Sequence, residues 1–328
     1  MDWNLIGHQW AVNLLKAHIK KDCIRHAYLF TGPKAIGRRT LALRFTQALT
    51  CPNVGKGSSP CLSCHTCQRI ENMEHPDLFP VRSGEDSLVI KVDQIREVIH
   101  NLSLSPYEAP YRVALLMDFE EATEAASNAL LKTLEEPPGN VIIIITAESA
   151  DSLLETIVSR CEEIRLRPVP LHTIQEGLKT LYQIPPNRAD LLAHIAGGRP
   201  GYALQLHENP EMESQRKQWL DDHTQLLQAN RVERFTYVKN NKQDSDSLQQ
   251  MIKVWTSIWR DILLTAAHSQ TPLHNLDREK EIKEIAEKFQ PEEAREIIAS
   301  LEHAHYLLTK YANTQLTTEV LMLDLPYI

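Results

Sequence analysis

With 328 residues the chain is long enough for two or three domains, each able to bury its own core. A formal net charge of −8 argues against a surface that coats nucleic acid throughout and makes protein partners the better default, a local basic face excepted. The sequence has no apolar run of about eighteen residues, and its N-terminus, MDWNLIGHQ, lacks the basic and apolar regions of a secretory signal. A cytoplasmic location without a membrane partner is therefore expected, and there the crowding of Cys51 to Cys67 suggests metal more than disulfides.

Gln9 to Lys20 places Trp10, Leu14, Leu15 and Ile19 at helical spacing. The apolar run Ala27 to Phe30 then reads as a strand, TGPKAIGRRTLA follows from Thr31 to Ala42, and Thr40 to Leu49 continues as a helix. Strand, glycine loop and helix in that order are where a phosphate-binding loop belongs. A working loop reads Gly, four residues, Gly, Lys, then Ser or Thr. Its backbone N–H groups cradle phosphates, its Lys reaches the terminal ones, and its hydroxyl ligates magnesium. Gly32 and Gly37 keep this frame, but Arg38 stands at the Lys, Arg39 stands at the hydroxyl, and Thr40 comes one place late. Arg is bulkier than Lys and forms a planar fork, so the exchange is not conservative in a tight cradle. The expected result is a loop that hydrolyses nothing and binds ATP weakly or not at all.

The helix ends at a Gly-, Ser- and Pro-rich loop, Pro52 to Pro60, where the cysteines cluster. Cys51, Cys61, Cys64 and Cys67 follow the spacing C-x9-C-x2-C-x2-C, which supplies four thiolates for a closed tetrahedral structural site for Zn2+ with no position left for water. The competing assignment is four free cysteines or disulfides. His65 lies between two of the ligands and could replace one. Cys23 and Cys161 are expected in the core.

Leu78 to Arg82 reads as a short strand that Pro80 places at an edge, and Lys91 to Leu104 as a helix. RVALLM, Arg112 to Met117, has the continuous apolar character of a strand covered on both sides. Thr123 to Glu136 is rich in helix formers and stops at Pro137 and Pro138. Val141 to Thr146 is a further strand, Ser152 to Val158 a short helix, and Glu163 to Arg167 a last strand before Pro168 and Pro170. This alternation implies a parallel sheet with helices on both faces. From Leu171 helical periodicity takes over. Leu171 to Tyr182, Asn187 to Ala196 and Gly201 to His207 suggest a small bundle, and the polar stretch Glu208 to Glu213 a linker. Ser214 to Gln228, Ser245 to Ala267, Asp277 to Phe289 and Pro291 to Lys310 make the remainder all-α, with polar spacers at Lys239 to Ser245 and His268 to Leu276.

An ATPase of this type also needs an acidic pair at the end of a core strand. Here that strand ends RVALLMDFEEAT. With NALLKTLEEPP setting the register, Met117 falls at the magnesium-binding Asp and Asp118 at the following Glu. Shifted by one, Asp118 itself becomes the metal ligand. In both registers Arg39 leaves the loop without its hydroxyl.

The phosphate-loop frame, the cysteine module, NALLKTLEEPP and the Ser159-Arg160-Cys161 triplet together resemble the clamp-loader branch of the AAA+ proteins of bacterial DNA polymerase III. The resemblance extends from LIGHQWAVNLL to TTEVLMLDLP. It implies an α/β RecA-like parallel-sheet domain over residues 1–168 with a zinc module at about 51–75, a helical lid over 169–208, and an all-α collar over 209–328. The collar would join a hetero-pentameric ring of ATPase subunits and a delta-like subunit that loads a sliding clamp onto primed DNA, so that polymerase activity belongs to the assembly. Arg160 matches the arginine finger that reaches a neighbour's ATP site. The bland alternative is an ion pair with a carboxylate at the domain edge. Thr146 falls at a γ-phosphate sensor, or else caps nearby backbone. GGRPGYAL resembles the second sensor motif, with Gly201 at the arginine position and Arg199 out of register. Arg38, Arg39, Met117 and Gly201 place the chain with the non-hydrolysing members rather than the motor subunits. Two other functions compete. One is an active ATPase in which Arg38 binds phosphates and Thr40 reaches magnesium. The other is a zinc-containing nucleic-acid-binding protein.

Overall fold

The computed structural model describes residues 2–54, 58–84, 89–240, 244–310 and 312–328. Residues 55–57 of the cysteine loop and 241–243 of an expected spacer lie outside the described residues. The chain divides into two compact units, Met1–Pro185 with Gly198–Tyr202, and Pro186–Gly197 with Ala203–Ile328. Among the described residues no helix is long and apolar enough to cross a membrane.

The first unit runs α1 (Gln9–Lys20), β1 (Ala27–Thr31), α2 (Arg38–Thr50), α3 (His65–Glu71), β2 (Leu78–Val81), α4 (Val92–Leu102), β3 (Arg112–Leu116), α5 (Glu124–Glu135), β4 (Val141–Ala147), α6 (Glu155–Val158), β5 (Glu162–Arg165) and α7 (Leu171–Leu181). The five strands form one parallel sheet in the order β2-β3-β4-β1-β5. Side chains alternate across a strand, so each strand feeds two cores. Tyr28, Phe30, Leu115, Ile142 and Ile144 join the apolar residues of α1 and α2 on one face. Leu29, Leu116, Ile143 and Ile145 join those of α4 and α5 on the other. Pro80 sits on β2, an edge strand paired only with β3, where a residue lacking N–H is tolerated. Thr123 caps α5 by accepting the Ala126 N–H, and the helix stops before Pro137.

The second unit holds α8 (Pro186–Ala196), most of α9 (Pro200–Glu208), and α10 (Pro210–Gln228), α11 (Arg231–Asn240), α12 (Ser245–Ala266), α13 (Glu279–Ala286), α14 (Pro291–Thr309) and α15 (Thr314–Asp324). Its core centres on Trp255, Trp259 and Ile258 of α12. The expected linker at 208–213 is not one. α9 ends at Glu208 and α10 begins at Pro210, with the Asn209 side chain accepting the N–H groups of Glu211 and Met212. Asn at the cap followed by Pro at the first helical position is a strong helix start, and its polar composition reflects an exposed first turn.

Sequence periodicity missed three helices, α3, α11 and α15. α11 is held by a buried arginine rather than an apolar stripe. The Arg234 guanidinium donates to the carbonyls of Leu226, Met322, Leu325 and Pro326, which ties α10, α11 and the C-terminus together. The placement of Cys23 in the core is also corrected: it lies exposed in the turn between α1 and β1, outside either element's packed face. Cys161 is half-buried, and desolvation pushes its thiol up to about 12.

Candidate functional site

β1 lies inside the sheet between β4 and β5, so its C-terminal end delivers the glycine loop to the centre of the unit. Gly32 leaves the strand at φ +147°, where an added Cβ would lie 2.7 Å from the Leu166 carbonyl. Gly37 caps α2 at φ +116°, a conformation suited to glycine. α2 therefore starts at Arg38, with Arg39 exposed and Thr40 half-buried in its first turn.

Arg38 is only 6% exposed, and its Nη2 donates to Asp118 Oδ1 at 2.8 Å. Nη1 lies 3.8 Å from Glu120 Oε1. A guanidinium thus occupies the place beside the strand-end carboxylates. Met117 is buried and apolar and supplies no ligand atom there. The Asp118 N–H donates to Thr146 Oγ1 at 2.9 Å, so the Thr146 hydroxyl caps a neighbouring strand end. Burial pushes the Glu120 carboxyl above its ordinary range, opposed by hydrogen bonding and by Arg38. Glu120 was not singled out from the sequence, although the acidic run DFEE after the strand was its signal.

The segment carrying Gly201 closes on the same loop. The Gly201 N–H donates to the Ala35 carbonyl at 2.9 Å, and a Cβ at Gly201 would come within 2.7 Å of that oxygen. No side chain can occupy that position without moving the loop. The nearby Arg199 guanidinium instead lies over the Tyr202 ring, 4.7 Å from its centroid. Gly32, Gly37, Arg38, Asp118, Thr146 and Gly201 are therefore brought together around the glycine loop, with Arg38 paired to Asp118.

Cys51, Cys61, Cys64 and Cys67 place their sulfurs within 4.8 Å of one another, a group that can hold a metal ion. Cys51 caps the end of α2, and Cys64 opens α3 by accepting the Cys67 N–H. The Cys64 N–H points at Cys61 Sγ, 3.3 Å away. Gln47 of α2 donates to the Cys67 carbonyl at 2.8 Å, and Arg44 pairs with Glu71, which fixes α3 against α2. His65 is exposed and outside the sulfur cluster.

Arg160 lies just after α6. Its Nη2 donates to Glu135 Oε1 at 2.7 Å and its Nη1 to the Thr156 carbonyl at 2.8 Å. Its side chain is 33% exposed and that of Glu135 53%.

The chain is similar over 319 residues to a Bacillus subtilis protein described as DNA polymerase III subunit delta', at 29% identity, covering 96% of this chain and 94% of the relative. It is similar over 270 residues to a DNA polymerase III subunit gamma of Buchnera aphidicola, at 28% identity, covering 79% of this chain and 73% of the relative. A solved structure of a gamma subunit-related protein from Thermotoga maritima matches with a TM-score of 0.52 at 18% identity, covering 95% of this chain and 97% of that one, which supports an AAA+ fold. The family model described as DNA polymerase III, delta subunit, matches residues 7–170. The chain belongs to this DNA polymerase III family and is a delta-prime-like clamp-loader subunit.

Proposed function

We propose that this chain is the non-hydrolysing subunit of a cytoplasmic DNA polymerase III clamp loader. In this role it holds the geometry of a hetero-pentameric ring with ATPase subunits and a delta-like subunit. It lends Arg160 to a neighbour's ATP site and helps open and load the sliding clamp onto primed DNA. The observation that carries the proposal is the ion pair between the buried Arg38 and the partly exposed Asp118, which supports a site whose strand-end carboxylate is engaged by a protein cation rather than by magnesium. An active ATPase would have to pull Arg38 away from Asp118 and lift Gly201 off Ala35 before ATP could enter. The three-part division at 1–168, 169–208 and 209–328 belongs to the same proposal. Its collar is supported by the exposed apolar face of α15, where Leu316, Val320 and Leu323 recur at helical spacing on the surface.

Zinc is the metal that suits the four cysteines. Four thiolates at the usual Zn–S distance of about 2.3 Å lie about 3.8 Å apart around a tetrahedron. The sulfurs here are separated by 3.5 Å (Cys51 to Cys61), 3.8 Å (Cys51 to Cys64) and 4.0 Å (Cys61 to Cys67). Filled with four protein ligands, the site is structural. Metal analysis of freshly purified reduced protein should give one zinc per chain, and a value well under one would remove zinc from the proposal.

The functional test is ATP hydrolysis by the cognate motor subunits with clamp and primed DNA, comparing wild type with Arg160→Ala, and with assembly checked by gel filtration. The expected result is stimulation by wild type and its loss with an assembled Arg160→Ala complex. Equal rates would leave scaffolding without a finger.

A further inference from the structure

We propose that the cleft along the β5 edge of the sheet binds a nucleotide unit, a base with its phosphate, at a site separate from the phosphate loop. The cleft has a volume of about 610 Å³ and is lined by His8, Trp10, Glu163, Arg165, Arg167 and Val169, together with the two flanking prolines. That volume falls within the range of about 300–1,000 Å³ common for small-ligand sites. None of the glycine-loop residues lines it.

The chemistry of the lining defines the ligand. β5 pairs only with β1, and along the extended chain Ile164 and Leu166 are buried while Glu163, Arg165 and Arg167 are exposed. The alternation sets the two arginines on one side, about 7 Å apart. Neither makes an ion pair among the described residues, although the chain carries 43 acidic residues against 35 basic ones. Glu163, the one acid in the cleft, accepts the Thr31 hydroxyl at 2.9 Å. Two guanidiniums with free forks are suited to phosphate oxygens, which they bind bidentately.

Trp10 supplies the second half. Its indole is 50% exposed at the start of α1 and stacks on no other ring among the described residues. An exposed tryptophan beside arginines is the arrangement that stacks a base while its phosphate is held. His8 turns inward, its Nε2 within 3.0 Å of the Ile36 carbonyl, and forms the floor rather than a phosphate contact. The same chemistry would come from a free nucleotide or from one nucleotide of a single strand.

The test is fluorescence anisotropy on the full chain with two labelled probes, AMP and a short oligo-dT, each competed with inorganic phosphate. Wild type is compared with Trp10→Ala and with the double variant Arg165→Ala/Arg167→Ala, all exposed positions, and melting temperatures serve as the folding control. The expected result is binding by at least one probe that weakens ten-fold or more in both variants at unchanged melting temperature. For the oligonucleotide, the double variant should also lower the slope of log affinity against log salt by about 1.4, two phosphate contacts at about 0.7 each. Oligo-dT binding far more tightly than AMP would identify a strand as the source, and comparable binding would identify a free nucleotide. The proposal is overturned if neither probe binds below millimolar concentration, or if both variants bind as wild type does.

Discussion

Arg38 and Arg160 are both hydrogen-bonded to a carboxylate at under 3 Å, yet they can do different things because they differ in burial. The Arg38 side chain is 6% exposed and faces a second acid, Glu120, whereas that of Arg160 is 33% exposed and faces a single acid that is itself half in water. A desolvated guanidinium cannot leave without stranding its partners. A solvent-screened pair is worth only about 0–1 kcal/mol and costs little to open. The first arginine is a fixture of the fold, and the second can be presented to another molecule.

The same truncation at the two positions should separate these roles. Arg160→Ala should lower the neighbouring subunits' ATP hydrolysis by about 10³-fold or more, the scale of a trans arginine on a transferring phosphoryl group. The chain's own melting temperature should barely move. Arg38→Ala should do the reverse. It leaves Asp118 and the half-buried Glu120 without a cationic partner and costs about 2–3 kcal/mol, below the full buried-pair value because the Asp118 side chain is 42% exposed. Urea unfolding measures that cost. A destabilised Arg160→Ala, or an Arg38→Ala protein that folds as well as wild type, would break the comparison.

How much of this was legible in the sequence follows from which interactions are local. The glycine frame, the four cysteines and the sheet strands are encoded by spacing and apolar runs, and Gly32, Gly37 and Cys51 to Cys67 could be placed from those alone. The partners of Arg38, Asp118 and Glu120, lie some eighty residues away, and no local pattern reports that pairing. The register alternatives at Met117 and Asp118 had the same origin: the strand end is set by pairing with β4, not by RVALLM itself. The carboxylate partner of Arg160 was foreseeable as a type of contact, but Glu135 was not foreseeable as the residue. In the second unit, α11 escaped notice because its anchor is a buried guanidinium, which periodicity counts as surface.

A group buried neutral gives a third point on the scale set by the two arginines. His223 is fully buried in the helical unit, where its Nε2 accepts the Trp259 indole N–H at 2.8 Å. Burial lowers its pKa from 6.5 to about 3. The unfolded chain takes up a proton below about pH 6.5 and the native chain does not, so stability is intact above that pH and falls as the pH drops toward 3. From pH 7 to pH 5 this group alone should cost about 2 kcal/mol, at about 1.4 kcal/mol per unit below the unfolded pKa. His223→Gln keeps an acceptor for Trp259 and should flatten that part of the profile, as read by urea unfolding at the two pH values. An unchanged slope would mean that His223 is protonated within the fold.

The smallest expected effect is the most direct check on Arg160. Glu135→Gln keeps a hydrogen-bonding oxygen near Arg160 and removes the charge. Because both side chains are partly exposed, stability should change by no more than about 0.5 kcal/mol. In the assembled ATPase assay the change should be a modest gain of no more than about five-fold, the factor equivalent to roughly 1 kcal/mol, since one hold on the retracted arginine is loosened while its bond to the Thr156 carbonyl remains. A large fall in the neighbours' rate would reverse the assignment: Glu135 would then be orienting Arg160 toward the partner rather than holding it back, and this pair would belong with that of Arg38 as a fixed part of the structure.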